Sequence, residues 1–374
     1  MADTPALFRR FPGLRGRLPW MPLADALPTA VEPLDRLGAA IGLGTGRLFV
    51  KRDDLASTRY GGNKVRKLEH LLADALARGR RAVVTLGAIG SHHALATAIF
   101  GREAGLRVHL ALYPQPPTPH VLEVLKLDAR SGADLVRAGS IAAVPLAVAR
   151  AAARALGREA QPPYYVPAGG SGALGTLGFV SAALELCEQV RAGVAPPPEL
   201  VYVAAGTCGT LAGLVLGLKL AALDDPGLFG RTRVVGVRVV PRAITNRRRT
   251  LALARRALRL LREAAPGEVP ALALFPRDFE LLHDHCGPGY GIETAPAREA
   301  ARRAADRAGL ELDPTYTAKA FAGLEAHVRG PARGRGTHLF WHTLNGRDLS
   351  RLAAEVDPRR DLPPAFHRYF VGGT

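Results

Sequence analysis

Cysteine is scarce in this chain of 374 residues, which has three, Cys187, Cys208 and Cys286, far apart. An odd number of distant cysteines excludes a disulfide framework and is typical of a reducing compartment. A chain of this length can bury a core without such cross-links. Its 48% hydrophobic and 22% charged content also excludes a largely disordered protein. We therefore expect a globular cytoplasmic protein.

Aromatic residues and lysines are also few, at 6% of the chain and six of its 50 basic residues. The net charge of +17 is compatible with nucleic-acid binding. However, the arginines are scattered through Ala- and Leu-rich segments. The densest run, 242–262, lacks the interleaved aromatic residues of a single-strand binding surface and is typical of one helix. We expect no nucleic-acid partner.

Long apolar runs are almost absent, and the N-terminal segment lacks the apolar core of a signal peptide. One run, Leu200 to Leu218, carries no charge over nineteen residues and is long enough to span a bilayer. Gly206 and Gly209 divide it, which predicts a buried strand followed by a helix. We therefore expect no membrane segment.

Strand-like runs alternate with helix-like runs along most of the chain. The run Arg107 to Tyr113 is typical of a strand, and Lys64 to Arg78 has the apolar periodicity of a helix. Pro162-Pro163 separates a first set of such units from a second. This alternation predicts the α/β class, with parallel sheets and crossover helices.

A Gly-Gly-Asn-Lys run at 61–64 lies directly before the predicted helix. In the first turn, Lys64 would meet the positive end of the helix dipole and the charges of Arg66 and Lys67, which lower the pKa of its ammonium group. A neutral amine can form a Schiff base with a carbonyl cofactor. The alternative is a solvated lysine at a helix start.

The loop Gly206, Thr207, Cys208, Gly209 and Thr210 joins an apolar strand to an apolar helix. Glycines let the backbone N–H groups approach an anion, the helix N-terminus favours negative charge, and the threonine hydroxyls can donate to phosphate oxygens. The loop therefore predicts a phosphate site. The alternative is an ordinary tight turn.

A second glycine-rich segment, Gly170 to Gly175, matches the dinucleotide pattern G-x-G-x-x-G. That fingerprint also needs an acidic residue about twenty positions on, at the end of the next strand. Glu199 precedes its predicted strand. A nicotinamide site is therefore the less favoured interpretation of these glycines.

Ser91, His92 and His93 follow the predicted strand 82–86, where ligands lie in open α/β sheets. Adjacent histidines on a helix point in different directions, which argues against a shared metal. His283, His285 and Cys286 lack a fourth ligand at suitable spacing. We expect no metal site.

Taken together, these segments resemble the pyridoxal-phosphate family that includes D-cysteine desulfhydrase, 1-aminocyclopropane-1-carboxylate deaminase and L-cysteate sulfo-lyase. The resemblance covers most of the chain, and the lysine run with its following KLE helix is its most specific part. The matching segments are KRDDL at 51–55, GGNKVRKLEHLLADAL at 61–76, GSHHALATA at 90–98, VPAGGSGALGTLGFVSAALEL at 166–186, AAGTCGTLAGL at 204–214, GPGYGIETA at 287–295 and LDPTYTAKAFAGL at 312–324.

The resemblance implies the tryptophan-synthase-β-like architecture of fold type II, with two open parallel-sheet αβα domains. The large cofactor-binding domain would take 1–66 and 164–374, and the small domain 67–163. A homodimer is expected. Lys64 would bind pyridoxal 5'-phosphate covalently, and residues 206–210 would hold its phosphate.

The resemblance also implies roles for residues around the cofactor. Ser91 would meet the substrate carboxylate or act near the reacting centre, and Tyr290 matches the family's active-site tyrosine. His92 and Thr343 would lie beside the cofactor, with the Thr343 hydroxyl at the pyridine nitrogen. A hydroxyl there leaves that nitrogen largely unprotonated, which weakens the ring as an electron sink.

Departures from the family pattern cluster at the same site. The usual Ser-Asn-His is Ser91-His92-His93 with Gly90 before it, the usual Thr-Gly-Gly is Thr343-Leu344-Asn345, and Ala318 replaces a glycine. The chain has no tyrosine between Tyr202 and Tyr290, so the deaminase's second active-site tyrosine is expected to be missing. We therefore predict that 1-aminocyclopropane-1-carboxylate is a poor substrate.

The function that follows is α,β-elimination from a small, D-cysteine-like amino acid, giving a keto acid and ammonia. β-Replacement, racemisation and deamination share the first steps of this reaction and stay open. A noncatalytic ligand-binding descendant is a further alternative, because of the changes at His92 and Leu344.

Overall fold

The computed structural model describes residues 4–330 and 336–370, which fall into two compact units. The first unit comprises the described residues within 1–18, 24–67 and 171–346, and the second those within 19–23, 68–170 and 347–374. In chain order the strands are β1 (Val31–Pro33), β2 (Leu48–Lys51), β3 (Ala82–Ala88), β4 (Arg107–Tyr113), β5 (Asp134–Arg137), β6 (Tyr164–Tyr165), β7 (Pro198–Ala205), β8 (Arg233–Arg238), β9 (Phe279–Leu282) and β10 (Thr337–Trp341).

The helices alternate with these strands. They are α1 (Ala6–Arg10), α2 (Asp35–Ala40), α3 (Asn63–Ala77), α4 (His92–Glu103), α5 (Pro119–Arg130), α6 (Val144–Glu159), α7 (Ala173–Arg191), α8 (Gly209–Asp224), α9 (Pro226–Phe229), α10 (Arg247–Ala264), α11 (Ala295–Ala308), α12 (Thr317–Arg329), α13 (Ser350–Ala354) and α14 (Pro358–Asp361).

Each unit is built on one mainly parallel sheet. In the first unit the strand order is β1-β2-β10-β7-β8-β9, and only β1 runs antiparallel to its neighbour. The second unit has the order β5-β4-β3-β6, with every pair parallel. The predicted α/β class with two parallel sheets is therefore confirmed.

The uncharged run from Leu200 to Leu218 forms the end of β7, a loop and most of α8, as predicted. Helix α8 is buried along most of its length, which explains why it is apolar on all sides. Over the residues that the structure describes, no helix is both long and apolar enough to cross a membrane.

Two glycines let α8 approach α7 closely. A Cβ at Gly213 would lie 2.5 Å from the Cβ of Phe179, and one at Gly217 would lie 2.6 Å from the Cβ of Ala183. Because both partner positions advance by four residues, the two helices run in the same direction. The packing therefore places the N-terminus of α7 beside that of α8.

The C-terminal segment departs from the predicted domain division. Residues 347–374 were expected in the large domain, whereas the described part of this segment belongs to the second unit. There α13 packs on α5, Glu355 forms an ion pair with Arg130, and the Lys126 ammonium lies over the Phe370 ring. These contacts within the second unit account for the difference.

Candidate active site

Lys64 lies in the first turn of α3, as predicted, and two glycines shape the turn before it. Gly62 has a φ of +83°, and a Cβ there would lie 2.8 Å from the carbonyl oxygens of Thr343 and Leu344. At Gly61 a Cβ would lie 1.8 Å from the carbonyl oxygen of Asp54. Only glycine fits at these positions, so the turn that presents Lys64 requires both.

Lys64 is half-buried, and its Nζ donates a hydrogen bond to Asn63 Oδ1 at 2.7 Å. Removal from water lowers the pKa of Lys64 to about 8, while the Asp313 carboxylate opposes this change. The predicted direction is therefore supported, but burial is its main cause. Arg66, predicted to contribute, is instead paired with Asp53 and Glu185.

The loop at residues 206–210, hereafter the anion loop, connects β7 to α8. Cys208 is the N-cap of α8 and has a φ of +71°, a conformation that side chains rarely adopt. The carbonyl oxygen of Gly206 accepts a hydrogen bond from the Thr245 hydroxyl. The first N–H groups of an α-helix have no partner within the helix, so this end of α8 suits an anion.

Ser171 and Lys67, which the sequence analysis did not assign to the phosphate site, converge on the anion loop. The Ser171 hydroxyl lies 2.7 Å from that of Thr207 and accepts a hydrogen bond from the Gly209 N–H at 3.2 Å. The buried Lys67 Nζ lies 3.4 Å from the Ser171 Oγ. The segment offered as a rival phosphate site thus contributes Ser171 to the same place.

This convergence fits the phosphate of a bound cofactor. A Cβ at Gly209 would lie 2.5 Å from Ser171 Oγ and 3.1 Å from Lys67 Nζ, so these two side chains can approach the loop this closely only because the residue is glycine. Phosphate oxygens accept hydrogen bonds from such groups, which here are two hydroxyls, a helix N-terminus and a buried lysine. Thr207, Gly209, Ser171 and Lys67 are therefore the residues that would hold it.

Thr343 lies just beyond the end of β10. Its carbonyl oxygen accepts a hydrogen bond from the Asn63 N–H at 3.2 Å. Asn345, one of the departures from the family pattern, accepts the Gly61 N–H at 2.8 Å through its side-chain oxygen. The strand end that carries Thr343 is therefore bonded directly to the turn that carries Lys64.

Tyr290 has a second tyrosine beside it, contrary to the prediction that the deaminase's second active-site tyrosine is missing. Its hydroxyl oxygen lies 2.7 Å from that of Tyr316. The Tyr316 ring also borders the anion loop, because a Cβ at Gly206 would lie 3.5 Å from its Cε1. Tyr316 follows Tyr290 in the matching segment 312–324 and lies outside the tyrosine-free stretch between Tyr202 and Tyr290.

Ser91 and His92 lie at the N-terminus of α4 in the second unit, after the carboxyl end of β3. The Ser91 hydroxyl caps the helix by accepting the Ala94 N–H at 3.2 Å. His92 Nε2 lies 3.0 Å from His120 Nε2, whereas the buried His93 turns to Thr85. The two adjacent histidines point to different partners, as predicted, and the roles given to Ser91 and His92 stay predictions.

Comparisons with known proteins agree with this geometry. Residues 24–343 match the model of the family described as pyridoxal-phosphate dependent enzyme. The chain is 34% identical over 335 residues to a D-cysteine desulfhydrase of Salmonella paratyphi B, covering 87% of this chain and 94% of that protein.

Solved structures give the same result. An ACC deaminase homologue is 31% identical, with a TM-score of 0.75 over 94% of this chain and 98% of its own. Threonine deaminase isoform 2 from Solanum lycopersicum, 16% identical with a TM-score of 0.55 over 95% and 91% of the two chains, shares the fold. The resemblance found in the sequence is confirmed, and the chain belongs to the family of pyridoxal-phosphate dependent enzymes.

Proposed function

We propose that this enzyme removes the β-substituent from a small, D-cysteine-like amino acid and releases a keto acid and ammonia. The observation that carries the proposal is the placement of Lys64. Its amine, with a pKa lowered to about 8, belongs to the same unit as the anion loop, Ser171 and Lys67. An amine partly neutral at physiological pH and a separate phosphate site are what attachment of pyridoxal phosphate requires.

Each residue has a distinct task in the proposal. Lys64 would hold the cofactor through its side-chain amine, and that amine, when free, would take the proton from the substrate α-carbon. Bound pyridoxal phosphate supplies an electron-withdrawing ring that stabilises negative charge at that carbon. The Thr343 hydroxyl would interact with the ring nitrogen, Ser91 would bind the substrate carboxylate or act near the reacting centre, and His92 would contribute to cofactor binding.

Deamination of 1-aminocyclopropane-1-carboxylate is the second candidate. The Tyr290–Tyr316 pair favours it, since two hydroxyls 2.7 Å apart can pass a proton between them. The name of the deaminase homologue, whose chain shares 31% identity, points the same way. The poor turnover predicted for the cyclopropane acid rested on a missing second tyrosine, so that argument no longer holds.

Absorbance and peptide mapping test the cofactor assignment. Purified protein is expected to be yellow, and borohydride reduction should fix the cofactor on Lys64. Attachment to Lys51 or Lys67 would contradict the assignment. A panel of D- and L-cysteine, β-substituted alanines and the cyclopropane acid then identifies the reaction by the keto acid, racemised amino acid or replacement product formed.

The phosphate position has its own test. The Thr210 hydroxyl is oriented by Asn63 Nδ2 at 3.0 Å, and we propose that it also binds the phosphate. Loss of one charge-assisted hydrogen bond costs roughly 1.5–3 kcal/mol, so Thr210→Ala should weaken cofactor binding about tenfold or more. Normal binding by this variant, with loss of cofactor in a folded Gly172→Asp variant, would favour the other glycine segment.

The remaining alternatives are separated by simple measurements. A protein that binds pyridoxal phosphate but converts no amino acid in the panel would be the noncatalytic descendant. We propose a cytoplasmic homodimer without a nucleic-acid partner. Light scattering checks the dimer, and a steep salt dependence of binding to unrelated DNA would contradict the last point.

A further inference from the structure

One residue touches all three parts of the proposed cofactor site. Asn63, the residue before Lys64, is 8% exposed. Its side-chain oxygen accepts the Lys64 Nζ at 2.7 Å, and its Nδ2 donates to Thr210 Oγ1 at 3.0 Å. Its backbone N–H donates to the Thr343 carbonyl oxygen at 3.2 Å. The lysine, the anion loop and the strand end thus meet at a single residue.

The oxygen and the NH₂ group of the Asn63 side chain cannot exchange places without losing a hydrogen bond. If the amide were flipped, its NH₂ group would face the Lys64 ammonium, which only donates, and two donors would oppose each other. The Lys64 ammonium therefore fixes the amide oxygen toward itself, and the Thr210 hydroxyl accepts the hydrogen bond from the Nδ2 group on the other side. Because one N–H of the Lys64 amine is bonded to Asn63 Oδ1, the amine keeps a fixed orientation. In the neutral amine, the lone pair then stays available on another side of the nitrogen.

We propose that Asn63 is the positioning residue that holds the Lys64 amine for cofactor attachment and ties it to the anion loop. This inference rests on the proposed function, because it takes Lys64 as the attachment point. In the attachment reaction the neutral amine nitrogen bonds to the aldehyde carbon and one water leaves. An amide suits this task because it orients the amine without adding a charge that would keep it protonated.

Charged neighbours of Lys64 affect its pKa and therefore the design of a pH test. Asp313, before α12, favours the ammonium form of Lys64, and Lys67, one helical turn further along α3, interacts with it as a like charge. A carboxylate in place of the Asn63 amide would add a negative charge at hydrogen-bond distance. Opposite charges this close raise a lysine pKa by about 1–3 units.

The test measures the rate at which full-length protein, freed of cofactor, attaches pyridoxal phosphate between pH 6 and pH 9. For the wild type, we expect the rate to rise with a midpoint near the Lys64 pKa of about 8. Asn63→Asp should move the midpoint up by about one unit and slow attachment at pH 7 about tenfold. Asn63→Ala should slow it about tenfold at every pH without raising the midpoint, because the amine loses its direction.

Asn246→Asp is the matched control. Asn246 caps α10 by accepting the Arg249 N–H at 2.9 Å, and aspartate preserves such a cap. The control adds the same charge to the same unit and should leave the midpoint unchanged. A wild-type midpoint in Asn63→Asp, or an equal shift in Asn246→Asp, would overturn the role of Asn63.

Borohydride mapping on the same samples separates the two proposals. If wild-type protein does not carry the cofactor on Lys64, the proposed function fails and the inference fails with it. If it does, and Asn63→Asp attaches the cofactor with an unchanged midpoint, only the inference fails. Asn63→Asp has nearly the shape of the native residue, so it remains informative even where Asn63→Ala is unstable.

Discussion

Each unit buries a carboxylic acid on a helix, and the two acids have opposite surroundings. Glu185 of α7, in the first unit, accepts hydrogen bonds from Lys51 Nζ at 2.6 Å and from two nitrogens of Arg66 at 2.9 and 3.0 Å. Burial opposes ionisation, but the guanidinium and the ammonium outweigh it and lower the pKa of Glu185 to about 2.

Asp128 of α5, in the second unit, is fully buried, and neither of its oxygens has a hydrogen-bond partner within the described residues. Burial raises the pKa of Asp128 well above its usual range. Depth alone therefore does not decide the charge of a buried acid. Cations within hydrogen-bond distance keep Glu185 ionised, whereas their absence around Asp128 favours the neutral acid.

The largest effect is expected from removing a cation from the first unit. Arg66→Met would leave Asp53 and Glu185 without their shared partner, since Arg66 bonds to both. Breaking a buried pair in this way typically costs about 3–5 kcal/mol. Denaturant unfolding should show this loss, and stability within about 1 kcal/mol of the wild type would contradict the ion-pair assignment.

Acid should weaken the first unit through Glu185. Its folded-state pKa of about 2 lies below the ordinary value of 4.5, so its stabilisation is present above pH 4.5 and is lost as the pH falls toward 2. The shift corresponds to about 3 kcal/mol. Unfolding free energies should therefore fall less steeply below pH 4.5 in Glu185→Gln than in the wild type, and equal slopes would exclude this contribution.

Asp128 should behave in the opposite way. Its folded-state pKa is raised above the ordinary 3.8, so stability is greatest below that pH and is lost as the pH rises toward the folded-state pKa. Asp128→Asn removes this dependence. The unfolding free energy of this variant relative to the wild type should therefore increase as the pH rises above 3.8. A constant difference in unfolding free energy would show that Asp128 is already ionised.

The smallest effect on stability is expected from breaking an exposed ion pair. Arg302 and Glu299 lie 2.9 Å apart on α11, and both side chains are exposed. Water screens such pairs, so Arg302→Met should leave the free energy of unfolding nearly unchanged. A loss comparable with that of Arg66→Met would mean that burial does not distinguish the two arginines.

The sequence was sufficient where the signal is local. The predicted strand 107–113 coincides with β4, and the lysine turn and the anion loop are marked by glycines next to an apolar helix or strand. Strands β1 and β9, only three and four residues long, were missed because such short runs show no clear alternation.

Contacts between residues far apart in the chain could not be predicted from the sequence. Ser171 reaches Thr207 across 36 positions and Lys67 across 104, and no periodicity links such pairs. Their positions in the sequence partly indicate a role in the phosphate site, because Ser171 lies between two glycines and Lys67 lies one helical turn after Lys64. Tyr316 lies in a matching segment, but its contact with Tyr290 joins residues 26 positions apart, which no local pattern indicates.

The lowered pKa of Lys64 also makes it suited to selective labelling among the lysines of the protein. At pH 8 about half of the Lys64 amines are neutral, whereas an ordinary exposed lysine is neutral in well under about 1% of molecules. The chain has only six lysines, and Lys51, Lys67 and Lys319 are buried. An amine-directed probe at limiting concentration should therefore label Lys64 before the other lysines, and pyridoxal phosphate should protect it.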